Sequence, residues 1–312
     1  MAIPDRLTVE PGAFRVRRSQ KPLAARIVED AWGYFFIAPS LLAFLVFSAY
    51  PMVDSILLSF HHLTLRTNEW VGLQNYADLS TNADFYLVLK NTALYLVLIV
   101  PVGVVLSVVL SVLVFRLSTR AQVFFKSAYY LPHVTAGVVL SFIWLYLYDP
   151  GFGLLDYLLQ SLGLQPVLWL SNQSTSLLSI VVMYHAISWG GAIILITASL
   201  GGIPEHLYEA ARIDGASQLR QTLAITLPLL KPAIAYVAIT GTIGALQIFT
   251  EIYVMTGGGP NYATANLVFF IYDRGFTMFD FGSASAVAVF LLVVTVAVAL
   301  IQFRIFSSDV EY

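Results

Sequence analysis

The sequence predicts an all-α integral membrane protein with six membrane-spanning helices, because of its composition and its long apolar runs. Of its 312 residues, 58% are hydrophobic and 11% are charged, whereas soluble domains carry roughly 25% charged residues. The mean hydropathy is +0.79. Six apolar runs each reach the ~20 residues that an α-helix needs to cross a bilayer. The chain has no cysteine, which excludes disulfides and thiolate metal sites.

The six predicted spans are separated by polar segments and turns. They cover residues 32–60, 87–115, 127–148, 176–200, 232–255 and 282–306. Pro39 and Pro51 are expected to kink the first span. Residues 1–31 form a predicted basic cytoplasmic tail and residues 307–312 a second cytoplasmic tail, so that residues 32–306 make one transmembrane domain.

Basic residues are distributed unequally between the two faces that these spans define. Thirteen of the 16 Lys and Arg residues lie on the side of the N-terminus, and Arg66, Lys90 and Arg274 lie on the other side. By the positive-inside rule, both termini and the loop of residues 201–231 are expected in the cytoplasm. The net charge of −2 gives no reason to expect nucleic acid as a partner.

The polar loop of residues 201–231 predicts a helix, a corner and a second helix lying against the membrane surface. Pro204 suits the first helical position, and Glu205 opposes the positive end of the helix dipole. Gly215 is expected to close the first helix, because glycine takes the left-handed conformation without the ~1–2 kcal/mol cost of a side chain. Four leucines at near-helical spacing predict an amphipathic second helix, namely Leu219, Leu223, Leu227 and Leu230.

This loop also carries a family motif. Glu209-Ala210-Ala211, followed after three residues by Gly215 and after nine more by Ile225-Thr226-Leu227-Pro228, resembles the EAA loop of permease subunits in bacterial ABC importers. It most resembles the carbohydrate branch, of the maltose and glycerol-phosphate type. The resemblance implies the type I ABC importer permease architecture, in which this loop is a coupling helix that docks on an ATPase subunit. It assigns ATPase coupling to Glu209, Ala210, Ala211, Arg212, Asp214 and Gly215.

The resemblance also implies partners. These are a second, different permease, two cytoplasmic ATPase subunits that use ATP and Mg, and an extracytoplasmic substrate-binding protein, all at a bacterial cytoplasmic membrane. The chain itself is expected to be no enzyme and to bind no cofactor or metal, since its glycine-rich run at residues 255–264 lacks the Lys-Ser/Thr pair of a phosphate loop. An interfacial helix resting on lipid is the alternative interpretation of residues 201–231.

Polar residues within the spans indicate where a substrate passes, because a charge at the bilayer centre costs about 2.5–3.5 kcal/mol unless it faces a cavity or a partner. Gln247 and Glu251 lie four residues apart, and we expect them to share one helix face. Tyr184 and Ser188 are similarly spaced and face one way with Gly191. Together they offer an aromatic ring, a hydroxyl and space, which suit a sugar.

The resemblance to the maltose-type permease adds His133, Gly244 and Ile248 to this predicted substrate pathway. Other interpretations stay open. Glu251 can instead reach interfacial water or pair with an arginine, and Tyr184 can belong to an aromatic belt at the membrane interface. His133 can be a hydrogen-bonding residue of helix packing.

The function predicted from these observations is half of the translocation pathway of an ATP-driven importer for a di- or oligosaccharide. Import of a glycerol-phosphate compound or a polyol is one alternative, and a stand-alone ion-coupled secondary transporter is another. Six spans, no visible inverted repeat and few intramembrane carboxylates argue against the secondary transporter. No Lys or Arg lies in the middle of a span, which favours a neutral sugar.

Overall fold

The computed structural model describes residues 23–306. The chain divides into two compact units, Met1–Asp54 and Ser55–Tyr312. The first unit holds α1 (Leu23–Phe44) and a π-helical turn at Leu45–Ala49, and α2 (Tyr50–Leu58) begins there. The predicted tails lie outside the described residues, except that residues 23–31 already belong to α1.

The second unit is almost entirely helical. A short hairpin pairs β1 (His61–Leu63) with β2 (Asn68–Trp70), so that His61 lies opposite Trp70. The helices that follow are α3 (Gln74–Thr81), α4 (Ala83–Phe115), α5 (Thr119–Val134), α6 (Gly137–Leu147), α7 (Leu154–Ser161), α8 (Ser176–Ile187), α9 (Gly190–Gly201), α10 (Glu205–Ile213), α11 (Gln218–Gln221), α12 (Leu227–Leu229), α13 (Lys231–Leu246), α14 (Thr250–Met255), α15 (Leu267–Tyr272) and α16 (Phe281–Phe306). Two further π-helical turns lie at Thr222–Thr226 and Asp273–Thr277.

Four stretches of the described chain are long and apolar enough to cross a membrane. They are Gly33–Leu58, Ala83–Phe115, Lys231–Met255 and Phe281–Phe306. Two bent helix pairs, α5 with α6 and α8 with α9, bring the number to six when each pair is one span. The predicted all-α architecture with six apolar spans is therefore confirmed.

The third span is not the continuous helix that the apolar run of residues 127–148 predicts. Its helix begins earlier, at Thr119, and α5 and α6 meet at 99° around extended backbone at Thr135 and Ala136. Pro132 lies in the last turn of α5, where it removes a backbone donor, and Gly137 directly follows the break. Both residue types weaken helix continuity.

The fourth span is also bent, by 44° between Ile187 and Gly190. Gly190 begins α9 against the backbone of Tyr129 in α5, and a Cβ on Gly190 would lie 2.2 Å from the Tyr129 carbonyl oxygen. At Gly190 the third and fourth spans therefore approach each other more closely than a residue with a side chain would allow.

Helix α4 lies at the centre of the second unit, where it packs against α9 and α13, and α13 in turn packs against α16. Its buried side chains include Val88, Tyr95 and Ile99, each with no exposed surface. These contacts place α13 between the helix that anchors the core and the last span. Helices α9 and α13 of this arrangement form walls of the candidate site.

Polar side chains of α4 hold the non-helical segment between α14 and α15. The Asn91 side-chain amide donates to the carbonyl oxygens of Tyr262, at 2.8 Å, and Ala265, at 3.0 Å. The Tyr95 hydroxyl donates to the Thr264 carbonyl at 3.0 Å, and the Thr92 hydroxyl accepts from the Leu267 amide at 3.0 Å. Irregular backbone beside a membrane requires such internal partners, because lipid supplies none.

Candidate functional site

A cavity of about 690 Å³ lies between α5, the bend from α8 to α9, and α13. We call it the interhelical cavity. Its lining residues are His133, Tyr184, Ser188, Trp189, Gly191, Ala192, Leu195, Ser199, Ala233, Tyr236, Val237, Thr240, Gly241 and Gly244. The lining combines aromatic rings, hydroxyls and small residues, and none of these residues is Lys, Arg, Asp or Glu.

Two glycines give the polar side chains of the cavity their space. A Cβ on Gly191 would lie 3.2 Å from Nε2 of His133, and a Cβ on Gly244 would lie 3.0 Å from the Tyr184 hydroxyl. The ring of His133 and the hydroxyl of Tyr184 therefore each approach the backbone of a neighbouring helix. Both polar groups remain at the cavity wall, where a substrate can contact them.

Five of the eight residues predicted for the substrate pathway line this cavity, namely His133, Tyr184, Ser188, Gly191 and Gly244. The other three do not. Gln247 is exposed, Ile248 is buried in the core, and Glu251 is half-buried in the first turn of α14. Their part in the pathway stays a prediction.

The prediction that Gln247 and Glu251 share one helix face is wrong. It assumes a continuous helix, but α13 ends at Leu246 and α14 begins at Thr250. The carbonyl oxygen of Ile248 accepts a hydrogen bond from the Asn266 side chain instead of from a following helical turn. A side chain 18 residues further along the chain thus stabilises the break.

Trp189 forms one wall of the cavity, and the sequence alone did not single out its contacts. Its ring lies against Gly103 of α4, where a Cβ would stand 1.8 Å from Cζ2 of the indole, and against Gly241 of α13, where a Cβ would stand 3.0 Å from Cη2. The indole N–H donates to Nδ1 of His185 at 3.2 Å. Because Nδ1 accepts, Nε2 carries the proton of the neutral ring and donates to the Leu98 carbonyl at 3.1 Å.

The loop of residues 201–231 folds as a helix, a corner and a second helical stretch. Helix α10 spans Glu205–Ile213, and Pro204 is its N-cap, one position before the predicted one. Gly215 has φ +76°. Its amide donates to the Arg212 carbonyl at 3.1 Å, and the Ala216 amide donates to the Ala211 carbonyl at 2.9 Å. These two bonds form a Schellman motif, so the predicted corner at Gly215 is confirmed.

The residues assigned to ATPase coupling lie on α10 and in the two positions directly after it. Glu209, Ala210, Arg212, Asp214 and Gly215 are exposed, and Ala211 is half-buried. At the C-terminal end of α10, 87% of the surface of Ile213 is exposed. These residues are therefore accessible to a partner protein.

One hydrogen bond joins two parts of this loop, and another connects the loop to the end of α4. The Tyr208 hydroxyl of α10 bonds the Thr226 hydroxyl at 3.0 Å, close to the start of α13. The Arg116 guanidinium at the end of α4 donates to the Gln218 side chain at 2.8 Å. A cavity of about 680 Å³ lies between these groups, bounded by Glu205, Arg212 and Phe115. These bonds connect α10 to the segment that precedes α13, and α11 to the end of α4.

The ion pair between Glu205 and Arg212 is expected to contribute little to stability. Their side chains are 68% and 59% exposed, and exposed ion pairs contribute about 0.2–1 kcal/mol. Arg212→Ala should therefore lower the free energy of unfolding by less than about 1 kcal/mol in thermal unfolding in mild detergent. A double-mutant cycle with Glu205→Ala isolates the pair, and a much larger coupling energy would contradict this expectation.

No group of three or more His, Cys, Asp or Glu side chains that could hold a metal ion occurs among residues 23–306. The adjacent pair His61 and His62 therefore has no third ligand in this part of the chain. His61 instead pairs through Nδ1 with the Asn68 side chain at 2.8 Å, across the hairpin.

Known permease proteins resemble this chain in sequence over most of its length. A model of the family described as "Binding-protein-dependent transport system inner membrane component" matches residues 99–312. The probable ABC transporter permease protein YurN of Bacillus subtilis is 36% identical over 284 residues, which cover 89% of this chain and 97% of that protein. The arabinooligosaccharides transport system permease protein AraP of the same species is 33% identical over 286 residues, covering 90% of each chain.

The fold also matches a solved structure. A chain of a bacterial alginate ABC transporter, crystallised in complex with an alginate pentasaccharide-bound periplasmic protein, aligns with a TM-score of 0.82. The alignment covers 93% of this chain and all of that chain, at 23% sequence identity. At this identity the likeness establishes the fold.

Proposed function

Because the chain belongs to the family of inner membrane components of binding-protein-dependent transport systems, we propose that it carries a neutral sugar, delivered by an extracytoplasmic binding protein, through an ATP-driven importer. The observation that carries the choice of substrate is the lining of the interhelical cavity. It offers aromatic rings and hydroxyls and no Lys, Arg, Asp or Glu. The named oligosaccharide substrates of AraP support the same class of ligand.

Sugar recognition suits this lining for two reasons. Aromatic rings such as Tyr184 and Tyr236 can stack on the C–H faces of a sugar, and hydroxyls such as Ser188 and Thr240 can exchange hydrogen bonds with its hydroxyl groups. A glycerol-phosphate compound would need a cationic partner, and the lining residues supply none. The neutral sugar is therefore the substrate class that we propose for this chain.

We propose that the closing motion of the ATPase subunits, which ATP binding drives, reaches this chain through α10. Two cytoplasmic ATPase subunits would bind ATP with Mg and close on each other, and one of them would move the exposed surface of α10. The bond between Tyr208 and Thr226 passes this motion towards α13, which forms one wall of the interhelical cavity. The chain contributes the cavity and the docking helix, and the ATPase subunits carry out hydrolysis.

The proposed orientation places α10 and both termini in the cytoplasm of a bacterial cell. It rests on the excess of basic residues on that side, which includes Arg116, Arg212 and Lys231. A second, different permease is proposed to complete the pathway, as the resemblance of residues 201–231 to the loop of maltose-type permeases implies. The binding protein would then dock on the opposite face, which contains α3, α7 and α15.

Replacement of the Tyr184 hydroxyl tests the proposed cavity. Tyr184→Phe is expected to raise the sugar concentration needed for half-maximal ATP-dependent uptake about 2- to 10-fold, the effect of losing one hydrogen bond of ~0.5–1.5 kcal/mol. Uptake is measured in proteoliposomes that contain the assembled transporter.

Tyr86→Phe is the matched control for this substitution. The Tyr86 side chain is 55% exposed and lies outside the cavity, where its hydroxyl donates to the Ser80 carbonyl at 2.9 Å. It should leave uptake unchanged. Equal effects of the two substitutions, or uptake that persists without ATP, would contradict the proposed function.

A further inference from the structure

A groove of about 510 Å³ lies between the last turns of α4 and the second helical stretch of the loop of residues 201–231. Seven of its ten lining residues are Val or Leu, and the other three are Arg116, Gln218 and Thr222. It shares no lining residue with the interhelical cavity. We call it the α4 groove. Its volume lies within the ~300–1,000 Å³ range of ligand pockets.

Accessible leucines line the α4 groove from both of its sides. Leu113 of α4 is 56% exposed. Across the groove, Leu219 and Leu223 are 69% and 56% exposed, and Leu227 is half-buried. These are three of the four leucines whose spacing predicts an amphipathic helix, and the fourth, Leu230, is buried in the core. Most of the apolar face of this stretch therefore lines the groove.

The α4 groove adjoins a polar space at Arg116 and Gln218. These two residues also line the neighbouring cavity of about 680 Å³, so that the two spaces meet there. Nη1 of Arg116 donates to Oε1 of Gln218 at 2.8 Å, which holds the guanidinium at the junction. This bond uses one of the five N–H groups of the guanidinium. The Arg116 side chain is exposed, so a ligand in the groove can contact it.

Arg116 supplies the net charge of this junction. The neighbouring cavity has two further charged lining residues, Glu205 and Arg212, and these form an ion pair with each other. No other residue that lines either space is Lys, Arg, Asp or Glu. The combined lining therefore carries one positive charge, and that charge lies beside the apolar groove. An anionic group attached to an apolar chain is the ligand that complements it.

The position of Arg116 along the chain matches the level of lipid headgroups. The apolar stretch Ala83–Phe115 ends directly before it, and a basic side chain at the end of a span reaches the membrane interface. Val108, the earliest α4 residue of the groove, lies eight positions before Arg116, about 12 Å along the helix. The groove therefore extends from headgroup level into the hydrocarbon region, where the upper part of an acyl chain lies.

We propose that the α4 groove binds one phospholipid with an anionic headgroup, such as phosphatidylglycerol. Its phosphate accepts hydrogen bonds from Arg116, and one acyl chain lies against Leu113, Leu219 and Leu223. A zwitterionic lipid fills the apolar part of the groove equally well, but its ammonium group brings a positive charge close to Arg116. The bound lipid contacts α4 and the loop of residues 201–231 together, and so it bridges a membrane span and the proposed coupling loop.

The absence of cysteine from the chain permits a direct measurement. Leu223→Cys is labelled with a bimane fluorophore, and the full chain is placed in phosphatidylcholine nanodiscs. These contain increasing fractions of phosphatidylglycerol or of phosphatidylcholine that is brominated on its acyl chains, because bromine quenches a fluorophore that it contacts. We expect half-maximal quenching at about a fivefold lower fraction of the brominated anionic lipid, the effect of one basic residue at an anionic surface.

Val97→Cys is the control for the position of the label. Val97 also lies on α4 and is 62% exposed, but residues 93–101 contain no Lys or Arg. The two brominated lipids should therefore quench a bimane at this position at equal fractions.

Two substitutions in the Leu223→Cys chain test the part of Arg116. Arg116→Gln should abolish the fivefold preference and leave quenching by brominated phosphatidylcholine unchanged, which also shows that the groove is still formed. Arg120→Gln is the matched control, because Arg120 is an exposed arginine of α5 that lines neither space. It removes the same charge from the surface, and the preference should persist.

Several results would overturn the proposal. Equal quenching by the two lipids at position 223, an unchanged preference in Arg116→Gln, or an equal loss in Arg120→Gln would each show that the groove has no site for an anionic lipid. Loss of the preference in millimolar inorganic phosphate at constant ionic strength would show that the site holds a free anion. Its loss when the labelled chain is assembled with its partner subunits would show that a protein covers the groove. The measurement needs neither ATP nor sugar, so its failure is distinguishable from failure of ATP-dependent uptake.

Discussion

Gly215→Val is expected to reduce ATP-driven uptake about tenfold, because a side chain in the left-handed conformation costs ~1–2 kcal/mol. Gly215 has φ +76° and closes α10 through the two bonds of the Schellman motif. No atom lies within 4 Å of an added Cβ, so the cost is backbone strain and not a clash. The strain should distort the end of α10 and weaken docking of the ATPase, while the chain still inserts into the membrane.

Gly163 provides a matched control for this substitution. It closes α7 with φ +75°, through amide bonds from Gly163 to the Gln160 carbonyl and from Leu164 to the Leu159 carbonyl, both 2.9 Å. An added Cβ there would also meet nothing within 4 Å. Gly163→Val therefore introduces the same strain on the opposite face. Only Gly215→Val should lower the yield of ATPase that copurifies with the chain, and equal yields from both variants would refute the role of α10.

Gly103→Ala is expected to cause a large loss of stability of the second unit. The new Cβ would lie 1.8 Å from Cζ2 and 2.0 Å from Cε2 of Trp189. Overpacking of this kind costs about 1–3 kcal/mol, and more when the neighbour cannot move. Trp189 is held by its bond to His185 and by Gly241 on its other side. The wall of the interhelical cavity should therefore be displaced, and uptake should fall with stability.

Thermal unfolding in mild detergent measures this effect. Gly33→Ala is the control, because Gly33 lies within α1 and has no atom within 4 Å of an added Cβ. Adding Trp189→Leu to Gly103→Ala removes the clashing ring and should restore part of the lost stability, which a double-mutant cycle reports as a coupling energy. If the double variant unfolds at or below the unfolding temperature of Gly103→Ala, the clash with the Trp189 ring is not the cause of the lost stability.

The local features of the chain could be predicted from its sequence. The six apolar runs follow from hydropathy, which depends on neighbouring residues alone. The corner at Gly215 follows from the conformational freedom of one glycine after a short helix. The polar residues of the fourth span, Tyr184 and Ser188, were likewise found by spacing, and both line the interhelical cavity.

The features that were missed depend on contacts between distant segments. The bend after Ile187 accompanies the close approach of Gly190 to Tyr129, and the break after Leu246 involves Asn266. The packing of Trp189 on Gly103 joins residues 86 positions apart. The sequence does show that Trp189 directly precedes two glycines, which is typical of close helix packing. It does not indicate which helix the indole ring packs against.

Purification of the tagged chain from its native membrane in mild detergent, with mass spectrometry of the copurifying proteins, tests the central claim most directly. We expect recovery of a second, different six-span permease and an ATPase, and loss of that ATPase in Gly215→Val. Recovery of the chain alone, in a form that transports sugar in proteoliposomes without ATP, would contradict it and would favour an ion-coupled secondary transporter.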